Sequence, residues 1–199
     1  MILISKDELL RIKLIEFYKE KINLNILLPI ILQETRLSLR SLDWFVTNYC
    51  KKHNINYTIT KNNEDISYFP FKAYKSQLKA YSKKFCDPFC RRERVIFDYN
   101  NNVIVNFKPD VHIGHKQYII TTIGQLNFFK FAIQDSIIKY AIDNIVNIEN
   151  DMNNTLKNRE SEKNDMKFME VKSIKRKELS VPGNKSIHIT RISAVIKFI

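Results

Sequence analysis

The period of the apolar residues switches repeatedly along this chain, and that switching constrains the fold more than any motif does. Apolar positions recur at helical spacing up to about residue 52 and alternate at strand spacing from Asn56 to Phe69. They return to helical spacing from Phe71, alternate again between Arg94 and Thr121, and are helical once more from Thr122. A parallel α/β fold needs strands and helices in strict alternation; blocks of each predict an α+β protein.

The individual elements follow from local signals. Ser5-Lys6-Asp7-Glu8 reads as a capping box, and Leu9, Leu10, Ile12, Leu14, Ile15, Phe17 and Tyr18 follow at helical spacing, so a helix is expected over 6–21. Leu24 to Leu32 is apolar and interrupted by Pro29, which suits a buried turn or a short helix started by the proline. A second helix is expected over 36–52, with Lys51 and Lys52 in its last turn and Asn54 closing it. Strands are expected at 56–60 and 66–69, a hairpin over 94–107 turning at three asparagines, and a further strand at 118–121. Thr122-Ile123-Gly124-Gln125 reads as a second capping box opening one long helix over 122–150. Residues 152–167 are polar and without period, so a flexible loop is expected there. The tail HITRISAVIKFI alternates like a terminal strand. The length of 199 residues fits one domain, 1–199. The expected architecture is an antiparallel sheet of four to six strands, packed by the N-terminal helices and one long helix.

Three glycines in the whole chain argue against a dinucleotide or P-loop site, since such loops need several glycines close together. The net charge of +12 is unevenly spread: residues 70–116 hold 10 basic and 4 acidic groups, whereas 117–153 hold 2 and 4. Such asymmetry points to a polyanionic partner, nucleic acid first. An AT-rich coding sequence also inflates lysine, but accounts less well for Arg91-Arg92. Three cysteines and no signal peptide fit a reducing intracellular compartment, and no apolar run reaches 18 residues, so no membrane partner is expected.

The densest stretch is FKAYKSQLKAYSKKFCDPFCRRERVIF, residues 71–97. On a helix over 71–85, Phe71, Tyr74, Leu78, Tyr81 and Phe85 share an inner face, and Lys72, Lys75, Lys79 and Lys83 share another. No acidic residue occurs between Lys72 and Lys84 to answer that row. Like charges at this spacing are unfavourable unless an anion sits opposite. Asp87-Pro88 is expected to stop the helix, and Arg91, Arg92 and Arg94 then offer guanidinium forks for phosphate oxygens. Asp87 and Glu93 are the carboxylates that would otherwise pair them. Tyr74 and Tyr81 are stacking candidates if they are exposed. Cys86, Cys90, His112 and His115 have the donor types zinc takes, but the Cys-x2-Cys spacing is absent. Buried thiols and a loop with two histidines are the simpler account, and no cofactor is expected. Asp110, His112, His115 and Lys116 invite a metal-dependent nuclease reading, without the acidic-x-Lys element such enzymes carry. Lys172 and Lys175-Arg176-Lys177 form a further basic cluster.

Three segments, SLDWFVTNYCKKHNI, YKSQLKAYSKKFCDPFCRR and TTIGQLNFFKFAI, resemble the blocks of an uncharacterised protein family shared by large nucleocytoplasmic DNA viruses. The resemblance covers about residues 38–150 and supplies no catalytic residues. It implies a viral protein made in the host cytoplasm, at a viral factory or in the virion. The function expected is non-enzymatic nucleic-acid binding in transcription, genome handling or packaging, with Lys72, Lys75, Lys79, Lys83, Arg91, Arg92 and Arg94 on phosphates. The alternatives are a structural virion or core protein docking acidic protein partners, and a nuclease using the 110–116 loop.

Overall fold

Both ends of the Ser5–Glu8 capping box are made: the Ser5 hydroxyl accepts from the Glu8 N–H at 3.2 Å, and the Glu8 carboxylate accepts from the Ser5 N–H at 2.9 Å. They open α1 (Lys6–Tyr18), whose inner stripe is Leu10, Leu14 and Tyr18. The computed structural model describes residues 5–61, 63–108 and 118–170, with side chains through residue 158. It forms two compact units, 1–158 and 159–199. The elements below belong to the first, apart from the last turns of the final helix.

The apolar run after α1 is a helix, α2 (Lys21–Ile31), with Pro29 inside it, rather than a turn or a helix begun at the proline. The expected helix over 36–52 exists in three pieces. α3 (Leu39–Trp44) passes into a π-helical stretch, Phe45–Tyr49, and ends in α4 (Cys50–Lys52). Asn54 closes it with a positive φ of 48°. β1 (Tyr57–Lys61) and β2 (Glu64–Tyr68) form an antiparallel hairpin. After α5 (Pro70–Tyr81), β3 (Val95–Asp98) and β4 (Val103–Asn106) form the second hairpin, and β5 (Tyr118–Thr121) joins the other edge of β3. The class is α+β as expected, but among the described residues the strands divide into a two-stranded and a three-stranded sheet instead of joining in one of four to six.

The one long helix expected over 122–150 is broken twice, into α6 (Ile123–Gln134), α7 (Ile137–Asp143) and α8 (Ile145–Glu170). The breaks fall at Asp135-Ser136 and Asn144, residue types that compete with helical backbone bonds; Ser136 has a positive φ of 56°. Residues 152–167, expected as a loop, lie within helix α8. The predicted terminal strand lies outside the described residues.

The core gathers around α6. Phe128, Phe129 and Leu126 are fully buried, as are Tyr18, Phe45 and Phe97 in the same apolar cluster. Burying each such side chain stabilises the fold by roughly 1.5–3 kcal/mol. The break at Asp135 fastens the β1–β2 hairpin. Its carboxylate accepts from Lys61 Nζ at 2.5 Å and from the Tyr68 hydroxyl at 2.6 Å, and its carbonyl accepts from the Tyr57 hydroxyl at 2.7 Å. Asp135→Ala removes the acceptor that both side chains share. An unfolding free energy lower by about 2 kcal/mol is expected, read as a melting temperature down by about 4–8 °C.

Candidate nucleic-acid interface

Pro70 sits in the first turn of α5, where its missing N–H costs nothing. The helix is anchored by Tyr74, which is 2 % exposed and packs between the Phe128 and Phe131 rings at 5.8 and 6.2 Å. Tyr74 is therefore a core residue and not a stacking platform; Tyr81 is half-buried. Lys72, Lys75 and Lys79 are exposed on the helix. Their 3- and 4-residue spacing puts them on one side of it. The Nζ of Lys72 lies 4.4 Å from the Phe69 ring centre. Those of Lys75 and Lys51 lie 5.5 and 5.9 Å from the Phe71 ring centre. In the sequence Lys51 marks only the last turn of a helix, where its charge complements the dipole. The signal that would have marked it, a shared aromatic neighbour twenty residues on, is invisible without the fold.

α5 is shorter than the predicted 71–85. It stops at Ser82, which takes a φ of 56° and donates its N–H to the Leu78 carbonyl at 2.9 Å. Lys83 therefore leaves the helical row and lies in the following turn. The reason for the early stop is the next segment's docking on α6. The Asp87 N–H donates to the Gly124 carbonyl at 3.2 Å, Asn127 Nδ2 to the Phe85 carbonyl at 2.7 Å, and Gln125 Nε2 to the Pro88 carbonyl at 2.8 Å. Gln125 also accepts from the Thr121 hydroxyl at 2.8 Å. The second predicted capping box is thus half made. The Thr122 hydroxyl accepts from the Gln125 N–H at 3.0 Å, but the Gln125 side chain holds the loop instead of reaching back.

The arginines divide. Arg91 forks onto Asp87 with three contacts of 2.9–3.1 Å and lies over the Phe89 ring at 4.6 Å. Asp87 is buried and also accepts from the Phe89 N–H at 3.3 Å. Arg91, expected on phosphate, already has its carboxylate. Arg92 and Arg94 are exposed. Among the described residues neither they nor Lys72, Lys75, Lys79 and Lys83 are ion-paired, and Glu93 pairs with none of them. Some cations elsewhere in the unit are answered, Arg36 by Glu149, Lys61 by Asp135 and Lys52 by Asp151, while Lys13, Lys19, Lys21, Arg40 and Lys139 are in no ion pair among the described residues.

Cys86 is fully buried in the core and its thiol is pushed up to about 12, first by burial and then by Asp87. Burial raises Cys90 too, with Arg94 opposing. Both thiols are thus neutral at physiological pH. His112 and His115, like Asp110, Lys116 and the 172–177 cluster, lie outside the described residues. Among the described residues no three metal-ligating side chains cluster.

Asp43, on α3, is held above the usual carboxylate range by burial and by Asp87, against the pull of Lys83 and Arg91. A carboxylate whose folded value is raised binds protons more readily in the native state, so stability falls as pH rises through that range. Asp43→Asn should match the parent at low pH and equal or exceed it in stability at neutral pH, in urea melts at both. A less stable variant at pH 7 would mean the carboxylate is needed charged.

A helix whose lysines are in no ion pair among the described residues, followed by a loop pinned to a buried helix start, sits on a small α+β scaffold. The sequence pattern of a family of unknown function, DUF7197, matches residues 3–197, and the chain belongs to that family. Uncharacterized protein L507 of Acanthamoeba polyphaga mimivirus is 36% identical over 157 residues, 77% of this chain and 56% of that protein. The chain thus spans a little over half the length of this relative. The resemblance to a family of large DNA viruses stands on these matches. No solved structure matches the chain. The second and third of the sequence blocks that carried the resemblance meet at Phe85–Pro88 and Gly124–Asn127, and the first packs on the second where the π-helical stretch and α4 meet α5.

Proposed function

We propose that this is a non-enzymatic nucleic-acid-binding protein of a large DNA virus, acting in transcription, genome handling or packaging. Lys72, Lys75, Lys79, Lys83, Arg92 and Arg94 contact phosphates, and Arg91 shapes the loop that carries two of them. The observation that carries this reading is the gathering of exposed lysines, unanswered among the described residues, along one side of α5, followed in the chain by the exposed Arg92 and Arg94. The fold answers Arg11, Arg36, Lys52, Lys61 and Arg91 with carboxylates and leaves the α5 lysines without one among the described residues. Lysines held over aromatic rings are also ordered before a partner arrives, which lowers the entropy lost on binding. No described helix is long and apolar enough to cross a membrane. A viral factory in the host cytoplasm, or the virion, is the setting this reading implies.

Salt titration tests it. Engagement of about six phosphates, one for each of these cations, gives a log-log slope of roughly −5 to −6 on duplex DNA. Affinity for nucleic acid that does not change with salt would overturn phosphate contact and favour a surface that docks acidic proteins.

A further inference from the structure

A cleft of about 180 Å³ opens beside the basic loop, between α1, residues 84–95 and the first turn of α6. We propose that it holds a single phosphate group, from the phosphorylated end of a nucleic-acid strand or from free phosphate. Three cationic residues from separate parts of the chain line it: Arg11, Lys84 and Arg92. Arg11 is pre-set, its Nε donating to Asp7 at 3.1 Å and its Nη2 to Asn106 at 2.8 Å, with the side chain only 20% exposed. Lys84 and Arg92 are unpaired among the described residues. Two carboxylates also line the cleft. Asp7 is already taken by Arg11, and Glu93 is left, so the lining is net positive by one charge. Phe85, Val95 and Ile123 supply apolar wall, which weakens solvent screening of those charges. Gly124 belongs to the first turn of α6, where backbone N–H groups lack helical acceptors, and that adds to the field the side chains create.

Size restricts the occupant. Pockets for drug-sized ligands run from about 300 Å³ upward, so this cleft suits a phosphate and leaves a base outside. A phosphomonoester also carries more charge and more free oxygens than a phosphodiester, which favours an end over the middle of a strand. The proposal rests on the nucleic-acid reading for one of its two phosphate sources and is otherwise independent of it.

The test compares a 12-nucleotide strand bearing a 5′-phosphate, a 3′-phosphate or hydroxyl ends, at fixed ionic strength, together with inorganic phosphate followed by amide shifts of residues 122–125. A phosphorylated end should bind about tenfold tighter than the hydroxyl form. Arg92→Ala, at an exposed position that circular dichroism can check for folding, should bring that ratio to one. Amide shifts with inorganic phosphate support free phosphate as a source; an end preference without them supports the strand end alone. Equal affinity for all three strands, with no phosphate-induced shift beyond that of chloride, overturns the cleft and leaves the α5 reading standing. Phosphate binding in the cleft without any strand binding would do the reverse.

Discussion

Replacing Lys72, Lys75, Lys79, Arg92 and Arg94 together by alanine lowers affinity for duplex DNA by about a thousandfold at moderate salt and takes the salt slope to near −1. Each cation that neutralises a phosphate releases a counterion, so five losses remove about 4.5 from the slope, and the residue is what Lys83 and diffuse charge supply. The fold should survive. These side chains are exposed and make no ion pair among the described residues. Alanine raises helix propensity, and removing three like charges from α5 relieves repulsion. The opposing loss is the ring contacts of Lys72 and Lys75, about 0.5–1 kcal/mol each. Arg91→Ala is the internal control. It leaves the buried Asp87 carboxylate without its fork, so its effect should appear in thermal stability and hardly in the slope. Filter binding across a salt series, with a melt of each variant, separates the two. A quintuple variant that kept the parent slope would remove α5 and its loop from the interface.

What the sequence revealed and what it hid follow one physical division. Elements defined by their own residues were legible: the Ser5 capping box, the asparagine turn between β3 and β4, the β5 strand at 118–121, and the lysine spacing on α5. Elements defined by a distant partner were not. The 122–150 run has an unbroken apolar pattern that masks the helix-competing Asp135-Ser136 and Asn144, and the broken end at Asp135 is held by Lys61 and Tyr68, more than sixty residues away. Pro29 sits inside α2 because the surrounding apolar residues bury the helix strongly enough to offset one missing bond. In the candidate site, the charges and the carboxylates that could answer them were visible, but not which arginine Asp87 takes or that Glu93 takes none among the described residues. Arg91 and Arg92 are neighbours of the same type, and only the position of the Asp87 side chain withdraws one of them from solvent anions. Arg11 and Lys84 were overlooked because they reach the cleft from segments with no shared motif.

Gly124→Val lowers the unfolding free energy by about 3 kcal/mol, seen as a melting temperature down by about 6–12 °C. Propensity alone predicts the opposite. Gly124 is in the first turn of α6, and a side chain there should gain up to about 1 kcal/mol over glycine. Nor does conformation demand glycine, since no described glycine has positive φ. Space decides. A Cβ on Gly124 would lie 2.7 Å from the Lys84 carbonyl oxygen and 3.4 Å from its carbon, both backbone atoms that cannot swing aside. The loop carrying them is held to α6 by the Gly124, Gln125 and Asn127 hydrogen bonds, so moving it by a few tenths of an ångström strains all three. Gly124→Ala, with one methyl and the same helix gain, should cost only about 1 kcal/mol. The functional consequence is ordered the same way, because Lys84 and Arg92 both line the cleft that Gly124 borders. Valine should disturb the preference for phosphorylated ends, and alanine much less. Melts of the two variants, followed by circular dichroism, give the deciding comparison. If alanine instead stabilises the protein, the 84–88 loop does not press on the start of α6, and the physical basis for a pre-set cleft is gone.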